Sequence, residues 1–172
     1  VAEIRLEAMT EVQYAQYRES AEEGYAKQVT ESGDMSWEDA VEKASRDYAR
    51  ILPHGMQTDD QHFFQAYVGD DAVGMIWYSI TPGAGGAKAW IYDFEVGERF
   101  QRRGYGRAIM RAGEEFCRSR GVASIGLNVF GGNGGARALY EQEGYETTAI
   151  QMRKHLGGPD PAAGAAPAEE SL

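Results

Sequence analysis

Between residues 91 and 120 the chain changes character twice. Ile91-Tyr92-Asp93-Phe94-Glu95-Val96 reads as a strand, Gln101-Arg102-Arg103-Gly104-Tyr105-Gly106 as a glycine-punctuated turn, and Gly104 to Arg120 as a helix ended by Gly121. Glycine lets backbone curl closely around a ligand, and a helix that starts at such a turn leaves its first amide N–H groups unpaired. With the positive end of the helix dipole aimed the same way, the turn suits an anion, and a pyrophosphate is its natural occupant. Taken alone, the same loop also fits an ordinary strand-to-helix turn.

The flanking sequence extends this alternation into a domain. Glu3 to Ala8 alternates as a first strand. Thr10 opens a helical segment to about Thr30, and Ser36 with Asp39 three residues on opens a second. In the second, Trp37, Ala40, Val41, Ala44, Tyr48 and Ile51 recur at helical spacing until Pro53, so both segments are read as amphipathic core-packers with acidic outer faces. His62 to Val68 and Val73 to Ile80, joined by Gly69-Asp70-Asp71, read as a hairpin, with Ala89 to Val96 as the next strand. Ser124 to Phe130 is a further strand. Gly131-Gly132-Asn133-Gly134-Gly135 leads into a helix from Ala136 to Glu143, and Thr147 to Leu156 is a last strand. This order predicts one α/β domain over residues 1–156 around a mixed, mostly antiparallel sheet flanked by helices. Residues 157–172, rich in Gly, Ala and Pro, are expected to be a disordered tail. The length of 172 residues suits one well-filled domain and is short for two.

Charge is unevenly spread. Residues 1–60 hold 14 acidic and 6 basic side chains, whereas residues 99–120 hold 7 arginines against Glu114 and Glu115. A basic island beside the glycine turn suits a polyanionic cofactor, and the acidic remainder favours cationic partners. Nucleic acid is a poor partner for a chain of pI near 4.8. No apolar run reaches the roughly 18 residues that cross a bilayer, and the N-terminus lacks a secretion-signal layout, so a cytoplasmic protein without membrane attachment is expected. Cys117 is the single cysteine, which rules out an intrachain disulfide. It shares a helical face with Ile109, Ala112, Gly113 and Phe116, so it reads as a small core residue rather than a nucleophile. His54, His62 and His155 show no metal-ligand spacing, and no metal is expected.

The Gln-x-x-Gly-x-Gly turn after Ile91 to Val96, followed by Leu127-Asn128-Val129, Asn133 and Ala138-Leu139-Tyr140-Glu141-Gln142-Glu143-Gly144-Tyr145, resembles the Gcn5-related N-acetyltransferase family. The resemblance is specific over residues 88–154. It implies a sheet whose strands ending near Val96 and Phe130 lie side by side and splay apart, with pantetheine threading the gap. It also implies acetyl-coenzyme A as co-substrate, a primary amine as acceptor, and direct attack. The acidic helices and exposed aromatics such as Tyr14, Tyr17, Tyr25 and Trp37 lean towards a small cationic molecule or a peptide amine as that acceptor. A homodimer is compatible with it.

Acetyl transfer from a thioester to an amine needs a neutral amine, stabilisation of the developing oxyanion and a proton for the departing thiolate. The resemblance implies that backbone amides from Arg102 to Arg107, through Arg103, Gly104, Tyr105 and Gly106, hold the pyrophosphate, with Gln101 opening the turn. Amides of Phe94, Glu95 and Val96 would pair with pantetheine. Arg102, Arg103 and Arg107 could add contacts to phosphate or simply be solvated. The tyrosine of Leu-Tyr-x-x-x-Gly-Tyr, here Tyr140, is implied as the general acid; periodicity alone would make it a core aromatic of an amphipathic helix. Asn133 matches an asparagine that contacts pantetheine, and it also fits a left-handed turn among glycines. For the base, strand alternation puts Asp93 and Glu95 on one face and Tyr92 and Phe94 on the other, and Glu95 ranks above Asp93 as nearer the expected thioester. Two alternatives stay open: a non-catalytic acyl-coenzyme A binding or sensing module, and a transferase of a larger acyl group.

Overall fold

Which strands can pair decides the architecture. The structure, a computed structural model, describes residues 3–33, 35–154 and 156; the predicted tail over 157–172 lies outside them, as does His155. Nine principal elements follow one another: β1 (Arg5–Ala8), α1 (Glu11–Glu31), α2 (Trp37–Ile51), β2 (Gln61–Val68), β3 (Asp71–Thr81), β4 (Ala87–Val96), α3 (Tyr105–Ser119), β5 (Val122–Leu127) and α4 (Gly134–Gln142). The five strands form one sheet in sequence order. β1 to β4 pair antiparallel, and β5 joins parallel to β4 across α3. The mixed, mostly antiparallel α/β domain expected from the sequence is therefore present.

Both faces of the sheet are covered. On one, α3 buries Ile109, Met110 and Cys117 against Val73, Ile76, Tyr78 and Ile91. Ile76 and Ile109 are wholly buried, each contributing about 1.5–3 kcal/mol. Gly113 is required here, because a Cβ at that position would lie 2.1 Å from the Tyr78 hydroxyl. On the other face, α1 and α2 cover Phe63, Met75 and Trp77 with Tyr17, Tyr48 and Leu52. The two helices approach each other through Ala26, Ala40 and Ala44, whose small side chains are fully buried. That close approach corrects the predicted stripe: Trp37 and Val41 of α2 are exposed, and α1 buries only Tyr17, Ala26 and Val29. Thr10 and Gln13 form a capping box at α1, and the Ser36 side chain accepts from the Asp39 amide at α2, as its sequence signature requires.

Two strand boundaries differ from expectation for one reason. β5 ends at Leu127 rather than Phe130, because its last pairing is Ile91 with Leu127 and β4 then diverges. The described residues of 147–156 form no strand and stand exposed at Ile150, Met152 and Leu156. An alternating pattern becomes a strand only where a neighbouring edge accepts its backbone hydrogen bonds, and this segment pairs with none.

Candidate active site

β4 runs on for five residues beyond its last pairing with β5, so the two strands part between residues 92–96 and 128–130. The gap opens into a cleft of about 320 Å³ bordered by Asp93, Phe94, Asn128, Asn133 and Tyr140 on its inner side and by Tyr48 and Tyr92 toward α1 and α2. An extra residue in β4 causes part of this shape. Ile91 pairs with Tyr78 and Asp93 with Trp77, leaving Tyr92 as a bulge.

The bulge reverses part of the predicted facing. Asp93 and Glu95 do point to the α1 side, as alternation requires, but Tyr92 does not share a face with Phe94. Tyr92 stacks on Trp77 at 4.6 Å, whereas Phe94 packs with Ile109 on the α3 side and lies 6.4 Å from the Tyr140 ring. Simple alternation fails wherever one residue is inserted without a partner.

At the glycine turn, Arg102 (φ 56°) and Gly104 (φ 84°) both adopt left-handed backbone and curl the chain into α3. The Gln101 amide bonds Glu98 O, and the next backbone amide to find a carbonyl is Ala108, which bonds Gly104 O at 3.2 Å. The amides of residues 102–107 thus make no backbone hydrogen bond among the described residues, and the space a Cβ on Gly104 would enter is empty. Unpaired donors at a helix N-terminus beside exposed Arg102 and Arg103 fit a pyrophosphate. The Gln101 side chain donates to Val96 O at 3.1 Å and ties the turn to the end of β4. Gly106 lies against Leu139, Val96 and Phe94, one layer from the cleft, and Tyr105 packs edge-on to Phe100.

Arg107 differs from its two neighbours. Its guanidinium and that of Arg111 both lie 2.8 Å from the Glu143 carboxylate, which is only 4% exposed. Its side chain thereby fixes α4 to α3 and so positions Tyr140, leaving only its backbone amide in the turn. Asn133 has φ −89°, not a left-handed value, and its Oδ1 accepts from the Ala136 amide at 3.0 Å, capping α4.

Tyr140 is half-buried and its hydroxyl has no protein hydrogen-bond partner among the described residues. Burial, and then the nearby Asp93, push its phenol above the ordinary value, so it stays protonated at neutral pH. The Asp93 carboxylate accepts from Tyr17 Oη at 2.9 Å and from the Phe94 amide at 2.8 Å. Burial raises it, outweighing both hydrogen bonds. Tyr48, next to Tyr17, is pushed up to about 12, chiefly by burial and then by Asp93. Glu95 lies elsewhere, in a shallow polar depression with Gln13, Gln16, Tyr17 and Gln65. Partial burial, then Asp93 and Glu98, raise its carboxyl. The structure thus brings Asp93 and Tyr140 together on the cleft and leaves Glu95 outside it, opposite to the ranking drawn from strand position. Cys117 is buried and its thiol raised to about 11 by burial, in keeping with a core role.

Tyr48 and Trp77 were not read as site residues from sequence; they come from α2 and β3, far apart in the chain, and only the sheet register brings them to the cleft. Tyr17, read as an exposed aromatic, is instead buried and bonded to Asp93.

The same fold occurs in known proteins. The sequence model described as the acetyltransferase (GNAT) family matches residues 14–145. The chain belongs to the GNAT family. It is 30% identical to the uncharacterized N-acetyltransferase YycN of Bacillus subtilis, over 89% of this chain and 99% of that one. The crystal structure of YycN superposes with a TM-score of 0.87 over 90% of this chain. YdgE of Bacillus subtilis, also an uncharacterized N-acetyltransferase, is 31% identical over 88% of this chain and 97% of its own length. Mycothiol acetyltransferase of Beutenbergia cavernae shares 37% identity over 86 residues, 49% of this chain and 28% of its own. For a GNAT protein, the match from Tyr14 to Tyr145 takes in the turn, the splay, Tyr140 and most of the two helices that close the cleft. Among the described residues no helix is long and apolar enough to cross a membrane, and no cluster of His, Cys, Asp and Glu could hold a metal ion.

Proposed function

We propose that this GNAT protein moves an acetyl group from acetyl-coenzyme A to a primary amine by direct attack. The observation that carries the reading is the joint placement of the Tyr140 hydroxyl and the Asp93 carboxylate on the cleft formed where β4 and β5 part. Acetyl-coenzyme A supplies an activated acyl group as a thioester. The amides of residues 102–107 would bind its pyrophosphate, and the β4 backbone around Phe94 to Val96, free on the side β5 has left, would bind its pantetheine arm, with Asn133 on the same inner side of the cleft.

Asp93 takes the proton released when the amine nitrogen forms its bond to the acetyl carbon, directly or through water. A carboxyl raised by burial is a better proton acceptor than an ordinary one. As the carbon–sulfur bond breaks, the sulfur takes the electron pair and Tyr140 donates its phenolic proton to it. Protons and electrons balance, and the products are an amide and a free thiol.

The test is thiol release from acetyl-coenzyme A against a panel of primary amines, with wild type and Tyr140→Phe. Release that requires an amine and falls sharply in the variant supports the reading. Release that the variant leaves unchanged removes Tyr140 as the acid. No release from any amine, with coenzyme A bound in the same samples, favours a binding module. Faster turnover of succinyl- than acetyl-coenzyme A would favour the larger acyl group.

A further inference from the structure

The outer part of the cleft is walled by aromatic rings. Tyr92 stacks on Trp77 at 4.6 Å, Tyr48 lies 5.9 Å from Trp77, and Tyr25 lies 6.4 Å from Tyr48. All four rings border the cleft, and Ile51 and Phe130 add apolar surface. Tyr92, at 40% exposure, and Trp90 beside it, at 37%, are large apolar side chains left open to solvent on this wall.

The charges on the same wall are unequal. Asp47 is already neutralised, since it pairs with Lys43 and lies 3.6 Å from Arg50 while accepting from Tyr25 Oη. Asp93 accepts only from a phenol and an amide and forms no ion pair among the described residues. Arg50 itself borders the cleft. Trp77 is covered by Phe63 and Tyr92, Tyr48 by Arg18 and Tyr25 by Lys43, so the wall offers one uncompensated carboxylate, the open face of Tyr92 and one guanidinium at its rim. A single ammonium on an apolar or aromatic stem matches that set, because the cation meets Asp93 and the stem meets Tyr92, Ile51 and Phe130. A polycation gains one carboxylate and then meets Arg50.

We infer that the acceptor is a monoamine carried on an apolar or aromatic stem, an arylalkylamine or alkylamine, selected by the open Tyr92 face with Ile51 and Phe130 and by the lone Asp93 charge. This deepens the transferase reading and rests on it.

Thiol release from acetyl-coenzyme A with 2-phenylethylamine, hexylamine, spermidine and kanamycin ranks the classes. The two monoamines should exceed spermidine and kanamycin in kcat/KM by about tenfold or more. Tyr92→Ala, at a half-exposed position, should raise KM for 2-phenylethylamine about fivefold with coenzyme A affinity kept. Arg50→Glu should narrow the gap between spermidine and hexylamine by about fivefold, and Arg50→Gln by less. Polycations favoured in wild type, or a ranking that neither substitution moves, would overturn the inference. Calorimetric titration of the full chain with 2-phenylethylamine separates this from the transferase reading. Binding that weakens in Tyr92→Ala supports the wall even if no amine is turned over. Absence of binding, while kanamycin or spermidine binds or is acetylated, refutes the wall and leaves the transferase standing.

Discussion

The α3 side of the splay is built from consecutive backbone, the amides of residues 102–107 and the free end of β4. The α1–α2 side is built from side chains that four separate elements bring together: Tyr25 from α1, Tyr48 from α2, Trp77 from β3 and Tyr92 from β4. A backbone site needs only the conformation, so its signature is a short run of glycines at fixed spacing, readable in one line of sequence. A side-chain site needs a register, and the register here includes a bulge. One side is therefore suited to a constant ligand and the other to a ligand that can change without disturbing the fold.

That contrast can be broken at several points. Tyr140→Phe should give the largest effect, a loss of about 10²- to 10⁴-fold in kcat, with coenzyme A affinity held, read by steady-state kinetics and calorimetry. Gly104→Val should weaken coenzyme A binding about tenfold, since a β-branched residue at φ 84° is strained, while KM for the amine stays put. Equal effects on both ligands would mean that the two sides are not separable. Asp93→Asn should lower kcat/KM about tenfold or more and remove the acidic limb of its pH profile. The sign follows from a carboxyl raised by burial: wild-type activity falls as pH drops through that raised range, where the base becomes protonated. Arg102→Ala and Arg103→Ala should cost less than about threefold each in coenzyme A affinity, because exposed guanidiniums are screened. Arg107→Ala should act differently from these two, lowering kcat and thermal stability together by leaving Glu143 held by Arg111 alone and so loosening α4. A smaller check concerns the α3 core: Cys117, with its thiol near 11, should resist iodoacetamide at pH 8 until the chain unfolds.

How much of this was legible follows the same division. The turn, the helix it opens, the hairpin and the caps at Thr10 and Ser36 are local features, and local spacing is enough to read them. The Tyr92 bulge was not legible, because nothing in Trp90 to Val96 marks which residue lacks a partner; only pairing with β3 reveals it. The role of Arg107 was hidden as well, since Glu143 lies 36 positions away and meets it only after β5 and α4 fold back on α3. The ranking of Glu95 over Asp93 failed to anticipate the cleft for the same reason, as both face one side and only the splay decides which one it includes. The described residues of 147–156 show the opposite error, a clear alternating pattern with no edge to pair with.

The most direct measurement of the account is an amide-resolved NMR titration of the isotopically labelled full chain with coenzyme A. The largest shifts should fall on the amides of residues 102–107 and on Phe94 to Val96, with Tyr25, Tyr48 and Tyr92 little changed until an amine is added. Shifts confined to α1 and α2, or a turn whose amides do not respond at saturation, would contradict a backbone-built anion site at this helix N-terminus.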